Sequence, residues 1–170
     1  ALGTGLLSLG GGTLQLADDT GADFGRNTTV TAATTVQSDR TSSGAGVTQA
    51  LGTLSIGAFA LTTNAGANVT SGTAGLTFGA TTLTGSATFN VGSGAQLTLG
   101  ALTDGGVART ITKSGAGTLL LDAAAGSWGT TNDALTINNG TVRLGTDNVF
   151  GAGTNTNITV NNTAGATALF

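Results

Sequence analysis

The chain has 170 residues, of which 30 are Gly and 35 are Thr, and it lacks Pro, Cys, Met, Tyr, His and Glu. Because Cys is absent there is no disulfide framework, and any catalysis would depend on Asp, Ser, Thr and the single Lys. The net charge is −3 and the five basic residues are scattered, so there is no basic patch and nucleic acid is not an expected partner.

Short β-strands are the predicted elements along the whole chain. Apolar and polar residues alternate with period two in about seventeen short runs, and no apolar period of 3.6 extends over a helical length. In chain order the clearest runs are residues 13–16, 53–56, 87–91, 135–137, 141–144 and 157–161. Corners between strands are predicted at 64–66, 138–140 and 161–162, where Asn and Gly tolerate a left-handed backbone.

Six runs share one form, in which Gly precedes a small or polar residue and then alternating aliphatic residues. They begin at Gly12, Gly52, Gly75, Gly94, Gly117 and Gly140. From Gly52 onward these glycines are 23, 19, 23 and 23 residues apart, and the first gap of 40 equals about two such steps. A repeat of about 20–23 residues built from short strands predicts an all-β parallel solenoid (β-helix), in which each repeat is one turn. We expect roughly eight turns and, at about 4.8 Å per turn, a rod about 38 Å long.

The alternation also predicts which side chains face the axis of the rod. Leu, Ile and Val are expected inside, while outward Thr and Asn stack in ladders from turn to turn. Residues 18–46 are the least regular part, rich in Asp, Thr and Ser, and are predicted to form a turn or two with a loop rather than a linker.

Neither end of the sequence carries the polar cap that a solenoid needs, since residues 1–9 begin and residues 167–170 stop in mid-pattern. We therefore predict that residues 1–170 are a single β-solenoid segment without terminal caps, one unit of a longer tandem array or of an end-to-end stack. The expected partner is thus another copy or a covalent continuation. The longest apolar stretch is interrupted by Asp122, so membrane insertion is not expected.

Residues 112–121 and 136–145 resemble the autotransporter-associated β-strand repeat. Lys113, Gly115, Gly117, Thr118 and Leu119 match its Lys-x-Gly-x-Gly-Thr-Leu element, and a weaker Gly-Thr-Val-x-Leu-Gly element follows. The resemblance covers about a quarter of the chain. It implies a right-handed parallel β-helix that is secreted and displayed on the bacterial cell surface.

Two features depart from that family. The Tyr-Thr-Gly common between its two elements is replaced here around Trp128, and the sequence contains no membrane-barrel translocator. Trp128 is predicted to be a core plug or a corner residue that covers apolar surface, rather than a sugar-stacking residue.

A catalytic role is not predicted for Lys113. A Ser–Lys pair with Ser114 is unexpected because neighbours on a strand point to opposite faces, and a solvated turn lysine is predicted instead. No two Asp residues are placed on adjacent turns as a glycosidase would require.

The densest acidic cluster is Asp18, Asp19 and Asp23, whose carboxylates are of the type that binds Ca²⁺. The glycine-rich calcium-binding nonapeptide is absent, so a solvated corner is predicted and calcium binding is left open. Four Thr-x-Thr pairs, at 29–31, 82–84, 110–112 and 154–156, are spaced by 53, 28 and 44 residues. These spacings do not match a 23-residue turn, so an ice-binding face is not predicted.

The sequence therefore predicts a structural extracellular bacterial surface protein or filament subunit that forms a stiff, self-associating rod. The alternative is an adhesin passenger domain that presents loops such as 18–46 to a surface or host ligand. An enzyme is the third and least favoured class. No catalytic, cofactor-binding or metal-binding residue is assigned, and no cofactor is expected.

Overall fold

A computed structural model describes residues 2–123, 128, 132–147, 149–150, 156–161 and 165–169. These ranges contain twenty β-strands and no helix, so the all-β prediction is confirmed. The strands are β1 (Leu7–Leu9), β2 (Thr13–Ala17), β3 (Thr28–Val30), β4 (Thr34–Asp39), β5 (Gly44–Ala45), β6 (Thr48–Ala50), β7 (Leu54–Ile56), β8 (Ala60–Ala65), β9 (Val69–Ser71), β10 (Ala74–Phe78), β11 (Thr81–Leu83), β12 (Ala87–Val91), β13 (Ala95–Leu99), β14 (Leu102–Thr103), β15 (Thr110–Ser114), β16 (Thr118–Leu121), β17 (Ala134–Ile137), β18 (Thr141–Leu144), β19 (Asn157–Val160) and β20 (Thr167–Leu169).

The strands form three long parallel sheets, named here A, B and C in the order in which the chain visits them. Sheet A has the order β1-β3-β7-β11-β14, sheet B β2-β4-β8-β12-β15-β17-β19, and sheet C β6-β10-β13-β16-β18-β20. A fourth sheet, D, consists of β5 and β9 alone. Because each strand pairs in parallel with strands of the previous and next pass, the fold is a β-solenoid, as predicted, with about six turns.

The turns are longer than the glycine spacing suggests, so the predicted count of eight is too high. In sheet B, Leu14 pairs with Val36, 22 residues further on, whereas Val36 pairs with Thr63, 27 residues further on. The longer turns are those that contain β5 and β9, because the extra strand lengthens the path from sheet B to sheet C. Six turns at about 4.8 Å correspond to a stack about 29 Å long.

The glycine-headed runs do not all occupy one position in the turn. Gly12 precedes a strand of sheet B and Gly52 a strand of sheet A, whereas the four later runs lie in sheet C. Gly117 and Gly140 occupy equivalent positions in successive turns, because the Thr118 that follows Gly117 pairs with the Thr141 that follows Gly140. The 40-residue gap is therefore not two repeats but the distance between similar strands on different sheets.

The core consists of columns of apolar side chains, one residue from each turn. In sheet C, Leu76, Leu97, Leu119 and Val142 are in register and at most 1% exposed. Alternation in the strands produces these columns, as the sequence predicts. Each fully buried aliphatic side chain contributes about 1.5–3 kcal/mol through removal of apolar surface from water.

The irregular segment 18–46 is part of the stack, since it contains β3, β4 and β5. Its weak pattern has a physical cause: several of its inward positions are polar. Thr34, Ser38 and Asp39 are all buried, and the Ser38 hydroxyl donates a hydrogen bond to the Val47 carbonyl at 3.2 Å. Gln49 is also buried, and its amide donates to the carbonyls of Asp39 at 2.9 Å and Asp18 at 3.0 Å. The polar core of this turn is thus satisfied by hydrogen bonds.

Candidate functional site

The acidic residues Asp18, Asp19 and Asp23 do not share partners: Asp18 and Asp23 each accept hydrogen bonds within a local turn, whereas Asp19 accepts them from the next turn of the stack. Asp18 Oδ1 accepts hydrogen bonds from the amide and hydroxyl of Thr20, both at 2.8 Å, and these lower the pKa of Asp18. Asp23 Oδ1 accepts from the Gly25 amide at 2.8 Å. Within the described ranges no three His, Cys, Asp or Glu residues are grouped so as to hold a metal ion.

Asp19 ties the first turn to the second. Its carboxylate accepts hydrogen bonds from the hydroxyls of Thr41 at 2.6 Å and Ser42 at 2.8 Å, and from both amides at 3.0 Å. The bonds from Thr41 and Ser42, with a smaller contribution from the Arg40 guanidinium, hold the pKa of Asp19 well below its usual range. Both oxygens of this carboxylate therefore already accept hydrogen bonds from Thr41 and Ser42.

Asp39 was not singled out by the sequence, yet it is the carboxylate most deeply enclosed in this corner. It is 0% exposed, and its Oδ1 accepts from the amides of Arg40 at 2.8 Å and Asn68 at 3.0 Å. Its Oδ2 accepts from the Gln15 amide group. Strand β4 ends at Asp39, and no feature of its local sequence separates it from an Asp in an exposed turn. This arrangement holds the corner together and has no open side for a substrate.

Lys113 is the main correction to the sequence-based expectations, because it is not a solvated turn lysine. Its side chain is 0% exposed, since the alternation in β15 turns it inward, in register with Phe89 and Ile137. Its ammonium donates to the carbonyls of Ser114 and Gly115, both at 2.7 Å, and of Asn139 at 3.1 Å. These acceptors satisfy all three donors, and burial lowers the pKa of Lys113 to about 8.

The glycines around this ammonium are required by the geometry of the corner between sheets B and C. A Cβ at Gly140, whose φ is +69°, would lie 2.4 Å from the carbonyl oxygens of Gly115 and Gly117 and 2.8 Å from Lys113 Nζ. Gly115 also has a positive φ, of +73°. The Lys-x-Gly-x-Gly-Thr-Leu element thus encodes a buried cation and a close-packed corner, and Ser114 points to the face opposite to that of Lys113, as the alternation predicts.

Trp128 is a core residue, in agreement with the sequence-based interpretation. It is 0% exposed, and its ring centroid lies 5.4 Å from that of Phe150. Its main-chain amide donates a hydrogen bond of 3.3 Å to the carbonyl of Leu102 in β14, the last strand of sheet A. Trp128 therefore lies beside β14, at the position of the next strand of that sheet. Its neighbours 127 and 129 lie outside the described residues.

The outward side chains form ladders rather than a regular Thr-x-Thr face. Thr88, Thr112, Thr136 and Thr159 are in register on sheet B, and the Asn161 amide donates to Asn138 Oδ1 at 2.6 Å in the adjacent ladder. The Thr-x-Thr pairs beginning at 29 and 82 lie on sheet A and the pair at 110 on sheet B, while residue 154 lies outside the described ranges. Because the pair at 110 lies on a different sheet from the other two, the three described pairs do not form one face.

The candidate functional site is an exposed apolar row on β19. Ile158 pairs with Leu135 and Val160 with Ile137. The two partners in β17 are 0% exposed, whereas Ile158 is 38% and Val160 45% exposed. The exposed Leu169 of β20 pairs with the exposed Arg143, so it lies on an outward column of sheet C. The row is therefore defined as Ile158 and Val160 on β19, the last strand of sheet B. It continues two inward columns without a further described strand to cover it.

No candidate membrane-crossing helix occurs in the part of the chain that the structure describes. Comparison with protein-family models, with curated proteins and with solved structures gave no match to this chain. The β-solenoid is therefore established by the strand pairing itself, and the kinship with autotransporter repeats stays a hypothesis.

Proposed function

We propose that the protein is a non-enzymatic structural rod of the bacterial cell exterior, a filament subunit whose copies stack end to end. The observation that carries this proposal is the exposed row on β19. Ile158 and Val160 occupy core positions of the turn, yet they are exposed along an edge of β19 that no strand of the described residues pairs. Such an edge favours the addition of another strand through main-chain hydrogen bonds and apolar burial.

The proposed occupant is the first turn of a second copy. That turn presents β1 and β2 as edge strands, with Leu7 and Leu14 only half-buried. Joining the two ends would pair strands of the same sheets and bury Leu7 and Leu14 together with the row on β19. A head-to-tail contact of this type does not close on itself, so it generates open filaments. Stability then grows with the number of stacked turns.

The extracellular bacterial location rests on the resemblance to autotransporter-associated repeats. The Lys-x-Gly-x-Gly-Thr-Leu element supports it, since Lys113, Gly115 and Gly117 form one compact corner rather than a chance pattern. The absence of Cys agrees with export, because no thiol has to be kept reduced or paired outside the cell.

An adhesin passenger domain is the alternative proposal, favoured by one observation. Sheet D adds a strand to the corners of two turns, which makes them wider than the others. A surface ligand would be presented there. The rod is preferred because segment 18–46 forms strands of the stack instead of a long protruding loop.

The test is electron microscopy and sedimentation of the 170-residue chain over a range of concentrations. We expect filaments with an axial repeat of about 34 Å, because the seven strands of sheet B span six spacings of about 4.8 Å and the junction between copies adds a seventh. Val160→Asp should abolish them, because it places a charge in the buried junction. Asn157→Asp, on the same strand but facing outward, should leave them intact. A wild-type chain that stays monomeric at high concentration would contradict end-to-end stacking.

A further inference from the structure

Asn139 and Gly140 form the only Asn-Gly pair in the chain, and they lie in the corner that holds Lys113. The Gly140 amide donates a hydrogen bond of 2.7 Å to Asn139 Oδ1. The side chain of Asn139 is thus folded over the peptide bond that follows it, which brings its amide carbon next to the Gly140 nitrogen. Asn139 is half-buried, so water reaches it.

The same peptide bond is polarised by the buried ammonium. Lys113 Nζ donates to the Asn139 main-chain carbonyl at 3.1 Å, which is the carbonyl bonded to the Gly140 nitrogen. A positive charge at this oxygen withdraws electrons from the nitrogen and stabilises the anion that forms when its proton is lost. Position 140 also presents no side chain to the closing ring, and a Cβ there has no room.

From this geometry we propose that Asn139 is a self-modification site, where the Gly140 nitrogen attacks the Asn139 side-chain amide carbon with Lys113 activating the nucleophile. Hydroxide takes the Gly140 amide proton, the new nitrogen–carbon bond forms, and the side-chain nitrogen leaves as ammonia after taking a proton from water. The cyclic imide then adds one water and opens to aspartate or isoaspartate at position 139. No oxidation or reduction is involved, and the new carboxylate lies beside the Lys113 ammonium.

The opposite cyclisation, in which the side-chain nitrogen attacks the main-chain carbonyl and cuts the chain, is disfavoured by the observed rotamer. It is Oδ1, not Nδ2, that meets the Gly140 amide. This places the side-chain carbon as electrophile and the main-chain nitrogen as nucleophile. The chain should therefore gain a carboxylate without being cleaved.

The experiment is incubation of the full chain followed by trypsin, which releases residues 114–143 from the wild type and residues 110–143 from Lys113→Met, each as one peptide that contains both Asn138 and Asn139. Mass spectrometry should find the amide-to-acid mass increase at 139, about tenfold faster in the wild type than in Lys113→Met. Lys113→Arg keeps the charge and should keep the rate. Asn138, which is followed by Asn rather than Gly, is the internal control and should stay unmodified.

Dependence on pH separates activation by Lys113 from a merely structural role. Its partners in register, Phe89 and Ile137, do not ionise, and its three acceptors are carbonyls. The wild-type rate should rise with hydroxide and level off above pH about 8, where Lys113 loses its proton. The rate in Lys113→Met should keep rising about tenfold per pH unit.

Three results would overturn the proposal: equal rates at position 139 in wild type and Lys113→Met, modification of Asn138 as fast as that of Asn139, or chain cleavage after Asn139. If Lys113→Met does not fold, the wild type in denaturant replaces it as the comparison. A folded wild type that modifies Asn139 more slowly than its own denatured chain would also refute the activation.

Discussion

Lys113 and Asp39 are two of the four charged side chains that are buried among the described residues, where an isolated ion would be strongly unfavourable. Each is 0% exposed and each is surrounded by main-chain partners of the opposite polarity. Carbonyl oxygens solvate the ammonium, whereas amide groups solvate the carboxylate. Both residues sit where the chain leaves sheet B, at which point the ladder ends and main-chain groups need other partners.

Burial of Lys113 leads to a prediction about stability and pH. The folded pKa is lowered from 10.5 to about 8, so between these values the unfolded chain binds more protons than the folded one. The free energy of unfolding should therefore rise with pH through this window, by at most about 1.4 kcal/mol per unit, and this stability is lost as the pH falls through about 8.

Urea denaturation at a series of pH values measures this effect. The chain has one Lys and no Tyr or Cys, so no other side chain titrates in that window. Lys113→Met should remove the slope. A slope that persists unchanged in this variant would show that Lys113 is not its source.

At the scale of elements, the corners between sheets decide which strands can stack. The strands alternate in a regular way, but adjacent corners approach one another so closely that several positions have no room for a side chain. At Gly117 a Cβ would lie 2.2 Å from the Gly92 carbonyl oxygen and 2.5 Å from that of Ala95. The corners thus restrict which residue types can occupy a position more strongly than the strands do.

Gly117→Ala should destabilise the fold by about 2 kcal/mol or more, because neighbouring main-chain atoms would have to move. Gly79→Ala is the matched control. Gly79 also lies in a corner, but its Cβ would meet nothing closer than the Gly52 carbonyl oxygen at 3.6 Å, an ordinary contact. That substitution should change stability by less than about 1 kcal/mol. Equal losses for the two variants, measured by thermal or urea unfolding, would contradict the close-packing argument.

At the scale of the molecule, the solenoid is nearly one-dimensional, because each turn pairs only with the turns before and after it. Among the described strands, β12 and β13 have a partner on both sides, whereas β19 has one partner and exposes all four residues. Local stability should accordingly fall from the middle of the stack towards β19.

Hydrogen exchange detected by mass spectrometry tests this gradient. At a concentration below filament formation, amides of β12, β13, β15 and β16 should exchange slowest and those of β19 fastest. In filaments the exchange of β19 should slow towards that of the middle strands, because stacking would supply its missing partner. Uniform protection in the monomer would indicate a single cooperative unit instead of a stack of coupled turns.

The prediction from sequence succeeded where local chemistry decides the outcome. Period-two alternation and β-branched residues define strands such as β12 and β18 to the residue, and Asn and Gly mark the corner at 138–140. The prediction for Lys113 failed because hydrophobicity alone places a Lys in solvent. Its position in the alternation of β15, with Ile111 on the same side, was the available signal.

The sequence by itself determined the class of fold, because alternation over short runs and the absence of helical periodicity leave parallel strands around an apolar axis as the consistent arrangement. The tertiary structure alone decided which strands are equivalent, and hence the number of turns. Similar glycine-headed runs occur on all three sheets, and only hydrogen-bond register separates Gly52 from Gly75. It also decided the partners of Lys113 and Asp39. Asn139 for Lys113, and Asn68 and Gln15 for Asp39, come from adjacent turns more than 20 residues away, a distance over which no local pattern carries information.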